Sequence, residues 1–199
     1  MNTNLAEREQ EYGIPYGADA VNADLDYINS ERFAGKFKNI TGNEAVNKTL
    51  LECSRKAIEH RSGTLYEDMY LINGNTGEII SQQTNALKEQ RINYTGEMLK
   101  SIEMANSEKI PIIALHTHPE GYPPSVDDFN SVYEHEYFLG VVVGHNGQVY
   151  KFQNNYMYID DPVIVQSDIA FAYRGGIDID RSYRETFLAY GLNYEIVKE

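Results

Sequence analysis

The stretch Ile110-Pro-Ile-Ile-Ala-Leu-His-Thr-His-Pro-Glu-Gly-Tyr-Pro-Pro-Ser-Val-Asp-Asp-Phe129 carries both the strongest structural signal and the chemistry of this chain. Residues 110–116 are almost continuously apolar, the pattern of a strand buried on both faces. Side chains alternate across a strand, so His116 and His118 point the same way and their imidazoles can reach one ion from the strand end. Pro119 stops the strand, and residues 118–124 hold three prolines and a glycine, which makes them a loop. Ser125 then opens a helix whose apolar face is predicted to be Phe129, Val132, Tyr133 and Tyr137. Asp128 falls in the first turn of that helix, a natural place for a third ligand. Two histidines and one carboxylate leave a fourth position open, as in catalytic rather than structural zinc sites.

Each piece has a plain alternative. Ser125-x-x-Asp128 is also a capping box with Asp in place of Glu, and His-x-His could be two polar residues at a strand end. Asp127 competes with Asp128 for the ligand position. The Ser-x-x-Asp spacing favours Asp128 and leaves Asp127 facing solvent, where it complements the helix dipole.

Outward from this segment, residues 139–143 (Leu-Gly-Val-Val-Val) read as a second buried strand. His145-Asn-Gly147 is a hairpin turn, and residues 148–152 return as a further strand. Upstream, residues 95–106 form a helix carrying Met98, Leu99, Ile102 and Met104. Residues 64–72 read as a strand turned by Asn73-Gly-Asn-Thr-Gly77 into a short partner over 78–81. Residues 44–60 form an amphipathic helix through Val46, Leu50, Cys53, Ala57 and Ile58, with Thr41 or Asn43 as its cap. The tail has helical patches over 169–173 and 183–190, broken by Gly175-Gly176. This divides the chain into an arm or adaptor (1–43), a core (44–160) and a C-terminal helical tail (161–199).

The phrase His116-x-His118-Pro, a short loop, then Ser125-x-x-Asp128 resembles the signature of the JAMM (JAB/MPN-type) zinc metallopeptidases. In that family a glutamate at the start of an upstream strand, followed by apolar residues and a glycine, completes the site; Glu67-Asp-Met-Tyr-Leu-Ile-Asn-Gly74 fits the description. The resemblance covers residues 46–152 and implies an α/β (α+β) single domain, a curved mixed sheet flanked by helices with cytidine-deaminase-like layering. It implies one Zn2+ per chain on His116, His118 and Asp128, Glu67 as the base that takes a proton from the zinc-activated water, and Ser125 as the oxyanion donor or the steadying contact for the water. Glu67 could instead be an ordinary exposed carboxylate at a strand start. The loop between Pro119 and Ser125 is one residue shorter than the common form. That spacing, and the run His60-Arg-Ser-Gly-Thr64, are similar to JAB-like domains of phage and mobile-element proteins.

The resemblance therefore implies a hydrolase of peptide or isopeptide bonds, with a peptide or protein substrate that could be ubiquitin-like or a phage structural protein. A non-catalytic assembly or scaffolding module of the same shape is a competing reading. A phosphoesterase of the PHP type also begins with His-x-His but needs further metal-binding clusters, and only His135 and His145 follow. A zinc deaminase needs a cysteine pair, and Cys53 is alone.

Among the other histidines, His60 is expected to stabilise a helix C-terminus, His135 to sit solvated on an acidic helix face, and His145 to belong to a hairpin turn. The chain has 199 residues, with 30 acidic against 17 basic side chains and a formal charge of −13. That charge disfavours nucleic acid and anionic membrane as partners, since both are recognised through basic surface. The opening MNTNLAEREQEYG has neither a basic segment nor an apolar run, so a cytoplasmic location is expected.

Overall fold

The computed structural model describes residues 20–154 and 157–199; the arm expected over 1–43 lies outside the described residues as far as residue 19. Two short helices come first, α1 (Leu25–Ile28) and α2 (Glu31–Gly35), capped by the side chains of Asp24 and Ser30. Helix α3 (Glu44–Arg61) follows. Its cap is Asn43, whose side chain accepts from the amides of Ala45 and Val46, and its buried stripe includes the predicted Val46, Leu50, Cys53, Ala57 and Ile58.

Strands β1 (Met69–Asn73) and β2 (Ile79–Gln83) form the expected hairpin, and α4 (Gly96–Ser107) leads into β3 (Ile112–His118). Helix α5 (Val126–Glu134), strand β4 (Leu139–Gly144) and strand β5 (Val149–Gln153) come next. Helices α6 (Pro162–Arg174) and α7 (Ile179–Ala189) precede the last strand, β6 (Asn193–Ile196).

The six strands form one mixed sheet in the order β2-β1-β3-β4-β5-β6. Only β3 and β4 run parallel, with α5 as their crossover; the other pairs are antiparallel. The period of two divides the strand side chains between two cores. Tyr70, Ile72, Ile113, Leu115, Val141, Val143 and Val149 pack with α1, α2 and α3 on one face. Met69, Leu71, Ile112, Ala114, Val142, Tyr150 and Phe152 pack with α4 to α7 on the other. The protein is thus a mixed α/β domain with helices on both sides of the sheet. His116 and His118 share the parity of Ile112 and Ala114, so the β3 register aims both at the side that carries α5.

Helix α5 is held in place by aromatic packing. Phe129 is fully buried, edge-on to Phe152 at 4.9 Å and to Phe187 at 5.5 Å. Burial of such a side chain contributes roughly 1.5–3 kcal/mol. Gly140 lies opposite Phe152 in the ladder, and a Cβ there would run into the Phe152 ring.

Several local expectations are corrected. Strand β1 starts at Met69 rather than at 64, because the Asp68 amide is taken by the Thr117 hydroxyl at 3.1 Å. On α4 the buried stripe is Met98, Ile102 and Ala105, while Leu99 and Met104 are exposed. On α5, Tyr133 is exposed, and Tyr137 is buried from beyond the helix end, after Glu136 turns the chain with φ of 54°. Strand β6, where the sequence suggested only helical patches, closes the β5 edge of the sheet and buries Tyr194.

Candidate metal centre

Strand β3 carries His116 and His118 to its C-terminal end, and the loop returns the chain so that α5 begins beside them. Ser125 caps α5: its hydroxyl accepts from the Asp128 amide at 3.2 Å, and the Asp128 carboxylate accepts from the Ser125 amide at 2.6 Å. The capping box is therefore present, and it aims Asp128 at the histidines. Capping and metal binding are compatible readings of one carboxylate. Oδ2 takes the Ser125 amide and hydroxyl, while Oδ1 lies 3.1 Å from His116 Nε2.

His116 Nε2 and His118 Nε2 are 3.1 Å apart, and His118 Nε2 is 3.3 Å from Asp128 Oδ2. Four ligands at tetrahedral positions about 2.1 Å from zinc would be about 3.4 Å from one another; the two histidine nitrogens have about that spacing, and each has a different Asp128 oxygen near it. Among the described residues this is the one group of three or more His, Cys, Asp or Glu side chains whose ligand atoms converge, all within 4.8 Å. His118 is further oriented from behind. Its Nδ1 donates to the Tyr122 carbonyl at 3.0 Å, which leaves the Nε2 lone pair facing the centre.

The electrostatics also call for a cation. Burial by itself would lower the His118 pKa. The hydrogen bond and charge of Asp128, the charge of Glu67 and the Tyr122 carbonyl outweigh it and raise the pKa to about 9. For Asp128 burial pulls upward, but His116 and His118 hold the carboxyl well below its usual range. Two imidazole nitrogens and a carboxylate this close need a positive charge between them. A proton serves in the absence of metal, and a divalent ion of borderline softness matches the nitrogen and oxygen donors.

Glu67 is buried just ahead of β1, not exposed. Burial pushes its pKa up to about 8; His118 opposes that shift, and the charges of Asp128 and Glu120 add to it. A carboxyl that titrates near neutrality beside the histidines is suited to taking and returning a proton. The Ser125 hydroxyl donates to Asp128 Oδ2 at 2.8 Å, so its one proton is directed at the carboxylate.

The remaining candidates fall elsewhere. Asp127 is exposed. His60, at the end of α3, contacts the buried Asp68 at 2.7 Å, and Arg61 holds the other Asp68 oxygen at 2.6 Å. His135 is not solvated on a helix face. It is the half-buried C-cap of α5, its ring 4.6 Å from Tyr94 and 5.4 Å from Tyr137, and burial lowers its pKa. His145 lies in its hairpin turn, fully buried, and burial lowers its pKa to about 4. Cys53 is buried in α3, and burial raises its thiol pKa to about 11.

The surroundings of the centre were not read from the sequence. Glu120 projects from the loop, interacts electrostatically with both Glu67 and His118, and accepts a hydrogen bond from the Gln90 side chain. Its place directly after His-x-His-Pro was a usable signal. Gln90, with φ of 52° and its amide donating to Leu65 O at 2.7 Å, had none. Tyr94 approaches from the same segment, its hydroxyl 3.2 Å from that of Tyr137.

The chain matches no protein-family model, no curated protein and no solved structure. Among the described residues no helix is long and apolar enough to cross a membrane.

Proposed function

We propose that this chain is a zinc-dependent hydrolase of peptide or isopeptide bonds, of the JAMM type that its sequence resembles. The observation that carries the reading is the convergence of His116 Nε2, His118 Nε2 and Asp128 at the end of a buried strand, with the buried Glu67 carboxyl beside them. His116, His118 and Asp128 would hold the zinc. When bound, zinc supplies Lewis acidity, polarising the scissile carbonyl and making the attacking water acidic near neutral pH.

Glu67 takes the proton from that water as its oxygen adds to the carbonyl carbon, then delivers it to the leaving nitrogen as the C–N bond breaks. The Tyr122 carbonyl keeps the His118 ring turned with Nε2 forward. Ser125 steadies Asp128, and serves the developing oxyanion only where its proton leaves that carboxylate. A cytoplasmic location goes with this reading. Ubiquitin-like or phage structural proteins are the substrate classes that the resemblance suggests.

A non-catalytic assembly module is the second reading. It is favoured by the exposed Ile164, Phe171 and Leu188 on α6 and α7. A PHP-type phosphoesterase would need further ligands, against a single three-residue cluster among the described residues.

Cleavage by the parent chain would set aside the assembly module, and Glu67→Gln then tests the proton carrier. The variant should bind zinc as the parent does and lose at least about 100-fold in hydrolysis of a peptide or isopeptide substrate cleaved by the parent. An unchanged rate would remove Glu67 from the mechanism.

A further inference from the structure

The loop over residues 119–124 is one residue short of the common spacing, yet one of its carbonyls orients a ligand of the candidate centre. Each part of it is fastened to a different element. The Pro119 carbonyl accepts from the Val21 amide at 3.1 Å. Glu120 is held by Gln90. The Tyr122 ring stacks on Tyr183 of α7, with centroids 6.4 Å apart.

The tightest fastening is at Gly121, the residue before the Tyr122 carbonyl. Its φ is +82°, and a Cβ on it would collide with the Asn146 side chain. A Cβ on Gly144 would in turn collide with Gly121 Cα, so the loop backbone lies directly against the β4–β5 turn. From the sheet, the buried Tyr150 hydroxyl donates to the Gly121 carbonyl at 3.0 Å. Tyr150 sits on β5 in register with Val142, which is itself in register with His116. The hydroxyl thus bridges the sheet floor to the peptide that joins Gly121 to Tyr122.

We propose that Tyr150 is a positioning residue of the metal centre: by fixing the Gly121–Tyr122 peptide it holds the carbonyl that accepts from His118 Nδ1, and so presents His118 Nε2 to the metal. The inference rests on the zinc-site reading but has a signature independent of zinc. A ring proton clamped between Nδ1 and a fixed carbonyl exchanges slowly with water whether or not a metal is on the other nitrogen.

The test compares the full chain with Tyr150→Phe, which keeps the buried ring and removes only the hydroxyl. The control is Tyr194→Phe, on the neighbouring strand with its ring 5.7 Å from that of Tyr150. Two quantities are read: exchange of the His118 Hδ1 proton by nitrogen-edited NMR, and zinc affinity by competition with a chromophoric chelator. Tyr150→Phe should speed the exchange at least about tenfold and weaken zinc about tenfold, the lower end of what loss of a ligand-orienting partner costs; Tyr194→Phe should do neither. Unchanged exchange in Tyr150→Phe, or equal effects in the two variants, would overturn the proposal. If the parent chain takes up no zinc, the hydrolase reading fails, and the exchange measurement still decides the role of Tyr150.

Discussion

His118 sits between two carboxylates and a carbonyl, and that setting gives the metal-free protein a definite response to pH. Its folded pKa, about 9, is above the ordinary 6.5, so its contribution to stability is full below about pH 6.5 and is lost as the pH rises through 9. Glu67, raised from 4.5 to about 8, acts in the same direction, because the folded state favours its protonated form. Asp128 acts oppositely: lowered below 3.8, it stabilises above that value and ceases to as the pH falls. The urea midpoint of chelator-treated protein should therefore peak near pH 4.5 and fall from there to pH 9, Glu67 acting between 4.5 and 8 and His118 between 6.5 and 9. Bound zinc would take the place of the proton and remove most of the alkaline fall. A metal-free midpoint that climbs from pH 6.5 to 9 would contradict this picture of the cluster.

At the scale of elements, α5 starts with one motif that serves two ends, and variants can separate them. Asp128→Asn keeps an acceptor for Ser125 and removes the charge, so zinc should be lost, and the metal-free protein should lose only the stability that the charge supplies beside the histidines. Asp128→Ala removes the cap contact as well and should cost about 1 kcal/mol in addition. Asp127→Ala should retain zinc. Metal loss in Asp127→Ala, with retention in Asp128→Ala, would put the ligand one residue earlier, and calorimetry with metal analysis reads both properties.

The same elements mark what was legible beforehand. The β3 parity, the stop at Pro119 and the Ser-x-x-Asp cap are local and periodic, so the spacing brought out the three candidate residues, and the family resemblance joined them into one set. The start of β1 was not local, since it depends on the Thr117 hydroxyl capturing the Asp68 amide across the sheet. Strand β6 is only four residues long, and its partner lies some forty residues earlier. A period of two has no room to declare itself over that length. On α4 the pattern contained Leu99 and Met104 as well as the buried stripe, and only packing chooses among apolar residues. Gln90 and Tyr150 join the surroundings of the centre by tertiary contact with the loop, which no spacing in the sequence encodes.

The whole molecule places its candidate chemistry where the architecture is most constrained. The sheet is covered on both faces, the histidines leave it at the C-terminal end of a buried central strand, and α5 is the crossover to the parallel neighbour. Loop, turn and α7 close around that end through Gly121, Asn146 and Tyr183. Because these elements are fixed by the sheet and both cores, three ligand atoms within 4.8 Å of one another are held by the scaffold, and zinc should bind the folded domain rather than fold it. The most direct test is the metal content of the purified chain by mass spectrometry, beside a His116→Ala, His118→Ala double variant. About one zinc per chain, absent from the double variant, is the predicted result. A parent chain that holds no metal after reconstitution with zinc would contradict the account and leave an assembly module in its place.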